Sequence, residues 1–229
     1  MKKNIFLALF CLAVLSVQAQ TDSISGVPNS ALALQKSMYL YPEFNTGEVH
    51  FKNGAKQQAQ LNYNAFFQQM IFQQNGVMMA IENADAVDTI ILSRRKFIPV
   101  DTLYFEVKTM EHSQPYFIMH NAKVTKAEQT GSAYSGISAT GSAQTVDLTT
   151  YRLSAQSPYQ LRLPVEYNVE HSELFFIKQQ NRLIQLKSSK QMKDLFPGKE
   201  AQLKKYIKDN NINFSKESDI QKLLLFVAI

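Results

Sequence analysis

The fold is decided between residues 49 and 81, where the chain reads VHFKNGAKQQAQLNYNAFFQQMIFQQNGVMMAI. Apolar and polar residues alternate here on either side of two Asn-Gly dipeptides, Asn53-Gly54 and Asn75-Gly76. An Asn-Gly between alternating runs predicts a β-hairpin, because a two-residue type I′ turn needs positive φ at both central positions. Two such hairpins in succession predict an antiparallel meander.

The strand pattern continues beyond this stretch. Val87–Leu92 is a predicted strand, and residues 93–96 are its predicted turn. Pro99 marks an edge or a break, because proline cannot donate a hydrogen bond to a ladder. The remaining predicted strands lie at residues 103–108, 116–119, 161–167, 174–177 and 183–186, and the last two form a hairpin that turns at 179–181.

After Leu186 the apolar period changes from two to about 3.6, which predicts helices. Ser188 or Ser189 can cap the first of them, Pro197-Gly198 ends it, and residues 200–210 form the next. The predicted fold class is therefore mainly β (α+β). It consists of an antiparallel meander or barrel-like sheet, followed by two to three short helices.

The chain divides into four predicted parts. Residues 1–19 are a signal peptide, residues 20–38 a flexible leader, residues 39–186 the antiparallel β domain and residues 187–229 the helical C-terminal appendage. A mobile loop at 129–145 is expected within the β domain. It consists almost entirely of Gly, Ser, Ala and Thr, and a segment so poor in apolar surface cannot offset the entropy of ordering it.

The N-terminal region predicts export. It has two basic residues, an apolar run that ends at Leu15, and small residues before a cleavage site after Ala19. The expected location is the periplasm or the extracellular side of the envelope. A lipid anchor at Cys11 is not expected, because Phe10 precedes it and the apolar run continues past it. No later segment is apolar over the roughly 20 residues of a transmembrane helix.

Cleavage after Ala19 would remove Cys11, the only cysteine. A chain without cysteine excludes disulfides, cysteine-ligated metals, Fe–S clusters and a cysteine nucleophile. The formal charge of the whole sequence is +5. Residues 187–229 hold nine lysines and five acidic residues, so most of this charge lies in the helical segment. Its lysines follow a helix rather than alternating with aromatics, and nucleic-acid binding is not expected.

No catalytic, cofactor or metal site is predicted. The four histidines lack helical metal spacing, although His112 and His120 can converge with Glu111 if a hairpin forms there. Serines of the 129–145 segment miss the G-x-S-x-G spacing. Two carboxylate pairs, Asp85 with Asp88 and Glu170 with Glu173, are interpreted as turn residues.

Several segments resemble a family of small exported envelope proteins of Bacteroidota. The segments are Gly47-Glu48-Val49, Leu61-Asn62-Tyr63-Asn64, Arg95-Lys96-Phe97, Phe196-Pro197-Gly198-Lys199-Glu200 and Tyr206-Ile207-Lys208. The resemblance implies an envelope location and a β-rich body with a helical tail. Its motifs are structural, and no functional residue follows from them.

These observations favour a non-enzymatic exported protein whose β domain binds or scaffolds an envelope partner. The candidate contact residues are Tyr134, which stands alone in the polar loop, and Lys204, Lys205 and Lys208 of the helical segment. One alternative is a carrier of a small apolar, lipid-like ligand in a barrel cavity. Its lining would be aromatic residues that otherwise pack in the core. A second alternative is a hydrolase whose site is assembled from distant residues.

Overall fold

The computed structural model describes residues 37–126 and 167–228. The predicted signal peptide, nearly all of the predicted leader and the 129–145 loop with Tyr134 lie outside the described residues. So does most of the strand predicted at 161–167, of which only Tyr167 is described.

Within the described residues, ten strands form one antiparallel sheet. They are β1 (Asn45–Phe51), β2 (Lys56–Asn64), β3 (Gln69–Gln74), β4 (Val77–Ala80), β5 (Val87–Leu92), β6 (Arg95–Val100), β7 (Leu103–Lys108), β8 (Tyr116–Lys126), β9 (Tyr167–Gln179) and β10 (Arg182–Gln185). Their spatial order is β10-β9-β8-β7-β6-β5-β1-β2-β3-β4. Two meanders, β1–β4 and β5–β10, are thus joined where β1 pairs with β5. The sheet is open, so the antiparallel meander is confirmed.

Both Asn-Gly hairpins form, but only the second has the predicted turn. Asn75 and Gly76 have φ of 51° and 78°, as a type I′ turn requires. In the first hairpin Gly54 alone of the pair has positive φ, 87°, and its amide donates to the Phe51 carbonyl. That hairpin therefore has a three-residue loop, in which a type I turn is followed by a left-handed glycine.

Pro99 lies at a position where its missing amide hydrogen leaves no strand partner without a hydrogen bond. It lies in β6, which pairs with β5 only through residues 95–97. On that side Pro99 has no partner in β5, while on the other side it is paired with Tyr104 of β7. The predicted break is confirmed as the point where one ladder ends inside the sheet.

The ladder between β7 and β8 is also incomplete, and this opening positions the buried polar groups. The two strands pair only over residues 106–108 and 116–118 and then diverge. The β2–β3 turn, residues 65–68, enters the gap. The amides of Tyr104 on β7 and Ala122 on β8 donate to carbonyl oxygens of this turn over 2.8 and 2.9 Å. We call this opening the fork.

In the described part of the chain, three helices follow the sheet: α1 (Ser189–Leu195), α2 (Glu200–Asp209) and α3 (Glu217–Ala228). The Ser188 side chain caps α1 by accepting a hydrogen bond from the Gln191 amide. The helices bury a second apolar cluster against β8 and β9, formed mainly by Tyr116, Ile118, Phe175, Ile177, Leu203, Ile220, Leu223 and Leu224. The predicted helical segment is confirmed. None of the helices in the described part of the chain is long and apolar enough to cross a bilayer.

The first apolar cluster consists mainly of residues from β1, β2, β3, β5, β6 and β7. Tyr63 and Tyr104 are fully buried there with Phe97, and the Tyr63 and Phe97 rings stack at a centroid distance of 5.6 Å. These two tyrosines thus pack in the core and do not line a ligand cavity. Met38 is also buried, and its carbonyl accepts the Ala65 amide.

Candidate functional site

The fork contains the most buried charge among the described residues. Glu106 is the last residue of β7 that pairs with β8 before the strands diverge, and its side chain is 1% exposed. His120 lies on β8 just beyond that point, with a side chain that is 5% exposed. Burying an isolated carboxylate is costly, so Glu106 needs cationic partners.

Three cations surround the Glu106 carboxylate. The His120 Nε2 atom lies 2.7 Å from Oε2, the Arg95 Nη1 atom 3.1 Å from the same oxygen, and the Lys108 Nζ atom 2.8 Å from Oε1. Burial favours the neutral acid, but the hydrogen bonds from His120 and Lys108 and the charge of Arg95 outweigh it. The pKa of Glu106 is lowered to about 2.

A second carboxylate contacts the same imidazole. Glu173 on β9 is paired directly with His120, and its Oε1 atom lies 3.4 Å from His120 Nδ1. Burial favours the neutral imidazole, but hydrogen bonds and charge from Glu106 and Glu173 raise the pKa of His120 above its ordinary value. In turn, the hydrogen bond from His120 lowers the pKa of Glu173. We call Arg95, Glu106, Lys108, His120 and Glu173 the ionic cluster.

The ionic cluster extends to the helices. The Tyr116 hydroxyl on β8 donates to Glu217 of α3 over 2.6 Å and accepts from the Gln221 side chain over 2.7 Å. Lys108 lies 4.0 Å from the same Glu217 carboxylate. A polar chain therefore runs from the fork to the first turn of α3, between the two apolar clusters.

A cleft of about 440 Å³ leads from solvent to the ionic cluster. It is lined by Tyr39, Leu40, His120, Asn121, His171, Ser172, Glu173 and Ser215. Glu173 is the acidic residue among these described lining residues, and its side chain is 39% exposed. The Ser172 hydroxyl accepts a hydrogen bond from Asn121. The cleft thus offers one carboxylate, which already contacts the His120 imidazole.

The structure separates His112 from His120. His112 is exposed in the β7–β8 connection, as expected for a scattered surface histidine, whereas His120 is buried in β8 and does not converge with it. His50 pairs with Glu48 on β1. Within residues 37–126 and 167–228, no group of three His, Cys, Asp or Glu side chains could hold a metal ion. In the ionic cluster both imidazole nitrogens face carboxylates, which leaves no nitrogen for a metal.

The two carboxylate pairs were interpreted as turn residues, but only Asp85 lies outside a strand. Asp85 and Asp88 are exposed, Asp85 in a short 3-10 helix before β5 and Asp88 within that strand. Glu170 and Glu173 lie inside β9 rather than in a turn, and Glu173 belongs to the ionic cluster. The turn interpretation was wrong for this pair, because β9 begins well before the stretch in which apolar residues dominate.

The predicted contact lysines lie together on α2. Lys204, Lys205 and Lys208 are all exposed, while Leu203 on the opposite side of the helix is fully buried. Among the described residues, no carboxylate forms an ion pair with any of the three. We call them the lysine face. Tyr134, the other predicted contact residue, is outside the described residues.

Sequence reasoning did not identify Glu106, Arg95 or Lys108 as interacting residues. The available signal was the two-residue β6–β7 turn, which sets Val100 opposite Leu103 and therefore Phe97 opposite Glu106. Arg95 then lies diagonally across from Glu106, within reach of a long side chain.

No protein-family model, curated protein or solved structure matches this chain. Functional arguments therefore rest on its own residues.

Proposed function

We propose that this protein is a non-enzymatic, exported binding domain of the cell envelope, and that it docks an acidic protein partner on the lysine face. The observation that carries the proposal is the lysine face itself, with three exposed lysines that lack carboxylate partners within the described structure. Unpaired like charges on one face attract a surface of opposite charge and speed its association.

The helix that presents the lysine face is firmly attached. Leu203 is buried against the sheet side, and the Tyr206 ring of α2 stacks on Phe226 of α3 at a centroid distance of 4.0 Å. The Lys199 ammonium, just before α2, donates to the Val227 carbonyl near the end of α3 over 2.9 Å. A binding surface on a rigid element loses little conformational entropy when a partner binds.

The ionic cluster supports a structural rather than a catalytic interpretation of the buried charges. Three cations share the Glu106 carboxylate, and both nitrogens of His120 face carboxylates. A general base must reach a substrate proton, but the Glu106 side chain is 1% exposed and both nitrogens of His120 face carboxylates. This supports the non-enzymatic part of the proposal.

Charge reversal tests the docking. A Lys204→Glu, Lys205→Glu, Lys208→Glu variant is compared with a matched control that reverses three exposed lysines of the sheet, Lys52, Lys96 and Lys123. The partner is captured from envelope fractions, identified, purified and titrated. We expect salt-sensitive binding that the lysine-face variant loses and the control keeps. Equal binding by both variants would contradict the proposal.

Export has a separate test. The full chain is expressed with a C-terminal tag, and its N-terminal sequence is determined in each cell fraction. The proposal expects an envelope or secreted form that begins at Gln20. An intact chain that stays in the cytoplasm would refute export without bearing on the lysine face.

A further inference from the structure

A groove of about 650 Å³ lies on the face of the sheet opposite the ionic cluster. Successive residues of a strand point to opposite faces. Glu106 points into the ionic cluster, so its neighbour Phe105 points into the groove. The other groove residues are Ile98, Pro99, Val100, Asp101, Leu103, Phe117, Phe176, Lys178, Asn181, Arg182 and Leu183.

The groove has an aromatic floor. Phe105, Phe117 and Phe176 lie on three neighbouring strands, and the Phe105 and Phe176 rings pack edge to face at 5.2 Å between centroids. Phe105 and Phe117 are 5% and 6% exposed, so the floor is already well packed. Aliphatic side chains of β6, β7 and β10 form the walls.

Charge on the groove is uneven. Lys178 and Arg182 flank the β9–β10 turn, are both exposed, and form no ion pair with the described residues. Asp101, in the β6–β7 turn, is the acidic residue of the lining. An apolar floor with two unpaired cations at the turn complements a ligand that has an apolar body and an anionic end.

We propose that this groove binds an amphipathic anion. The alkyl chain lies over Phe105, Phe117 and Phe176, and the head group, a carboxylate or phosphate, pairs with Lys178 and Arg182. The volume is within the range of about 300–1,000 Å³ that small-molecule pockets occupy. The groove does not include the lysine face, so this inference stands or falls independently of the proposed partner.

Calorimetric titration of the full chain with decanoate, and with shorter and longer alkyl carboxylates, tests the site. Each buried CH₂ is worth about 0.8 kcal/mol, so affinity should rise about fourfold per added CH₂ until the groove is filled. Decanol, which has the same chain without charge, should bind at least about tenfold more weakly, a loss of about 1.4 kcal/mol. Absence of decanoate binding at millimolar concentration, or equal affinity for decanol, would overturn the proposal.

Two variants locate the site. Lys178→Glu with Arg182→Glu should weaken decanoate at least about tenfold, while Lys52→Glu with Lys123→Glu, the same charge change away from the groove, should leave affinity unchanged. Leu183→Trp should fill part of the groove and weaken decanoate and decanol alike. Circular dichroism confirms that each variant is folded. Equal loss in the charge-reversal variant and its control would refute this site.

The head group can come from a free fatty acid or from a lipid in a bilayer. Sedimentation with vesicles of phosphatidylglycerol and phosphatidylcholine in equal parts separates the two sources. If decanoate competes with the vesicles, and Leu183→Trp weakens both, the result supports ligand binding in the groove and assigns the ligand to lipid acyl chains. Decanoate binding without vesicle binding supports the groove and assigns it to free carboxylates. Vesicle binding that decanoate and Leu183→Trp leave unchanged would overturn the proposal in favour of surface adsorption.

Discussion

Replacing Glu106 by Gln should destabilise the protein by about 3 kcal/mol. The side chain is 1% exposed, and the substitution keeps its size while it removes the charge that three cations share. Removing one partner of a buried ion pair typically costs about 3–5 kcal/mol. The lower end applies here, because Arg95 and Lys108 are 38% and 33% exposed and can turn towards water.

Urea unfolding at near-neutral pH, followed by circular dichroism, measures this loss as a lower midpoint with an unchanged slope. Glu111→Gln is the matched control. It makes the same chemical change at an exposed position in the β7–β8 connection, and it should stay within about 0.5 kcal/mol of wild type.

A double-mutant cycle then assigns the loss to the contact with His120. If that contact carries the effect, Glu106→Gln should cost much less in a His120→Gln background than in the wild type. A Glu106→Gln loss below about 1 kcal/mol, which is the value of an exposed ion pair, would refute the reasoning that this charge is buried and compensated.

Three other perturbations have defined outcomes. The raised pKa of His120 means that its protonated form stabilises the fold fully below the unfolded-state pKa, about 6.5, and that this contribution is lost as pH rises through the folded-state pKa. Wild-type stability should therefore fall with rising pH more steeply than that of His120→Gln, and an NMR titration that places the folded pKa below 6.5 would contradict this. Gly47→Ala should cost about 1–3 kcal/mol, because a Cβ atom there would lie 2.9 Å from the backbone carbonyl oxygen of Ile91 and 2.8 Å from a Leu61 methyl carbon; an unchanged melting temperature would exclude such a clash. Asn62→Ala removes three hydrogen bonds to the backbone of the segment before β1, at about 1–3 kcal/mol for each buried group left unpaired. Hydrogen exchange at the Tyr41 amide should accelerate, and unchanged protection would show that other contacts hold this segment.

Local sequence signals predicted the sheet well, because its hairpins are short. Asn75-Gly76 meets the φ requirement of the turn directly. The β5–β6 turn was predicted at residues 93–96, but it consists only of Ser93 and Arg94, with left-handed φ of 50° and 66°, and β6 already begins at Arg95. A two-residue turn fixes the register of the strands on both sides, so the pattern around it specifies which residues face each other.

The ionic cluster was not predicted, because the alternation of apolar and polar residues on β7 does not separate a buried face from a solvated one. In a sheet with one solvated face, the polar residues of an alternating strand face water. On β7 both Phe105 and Glu106 are buried, Phe105 towards the groove and Glu106 towards the fork. The alternation of Leu103, Phe105 and Val107 with polar residues therefore predicted that Glu106 faces water, whereas it is buried.

The register of β8 with β7 and with β9 could not be predicted from the sequence either. The residues that set this register show how the buried charges contribute to the fold. Neither connection that sets the cluster is a tight turn: residues 109–115 join β7 to β8, and residues 127–166 join β8 to β9. Turn geometry therefore cannot place Glu173 opposite His120. A shift of β9 by one residue would set Ser172 or Leu174 there and turn Glu173 to the other face, so the buried His120 imidazole would lose one of its two carboxylate partners. Since that loss is costly, the ionic cluster favours the observed register of β8 with β7 and with β9, the two pairings that no tight turn sets.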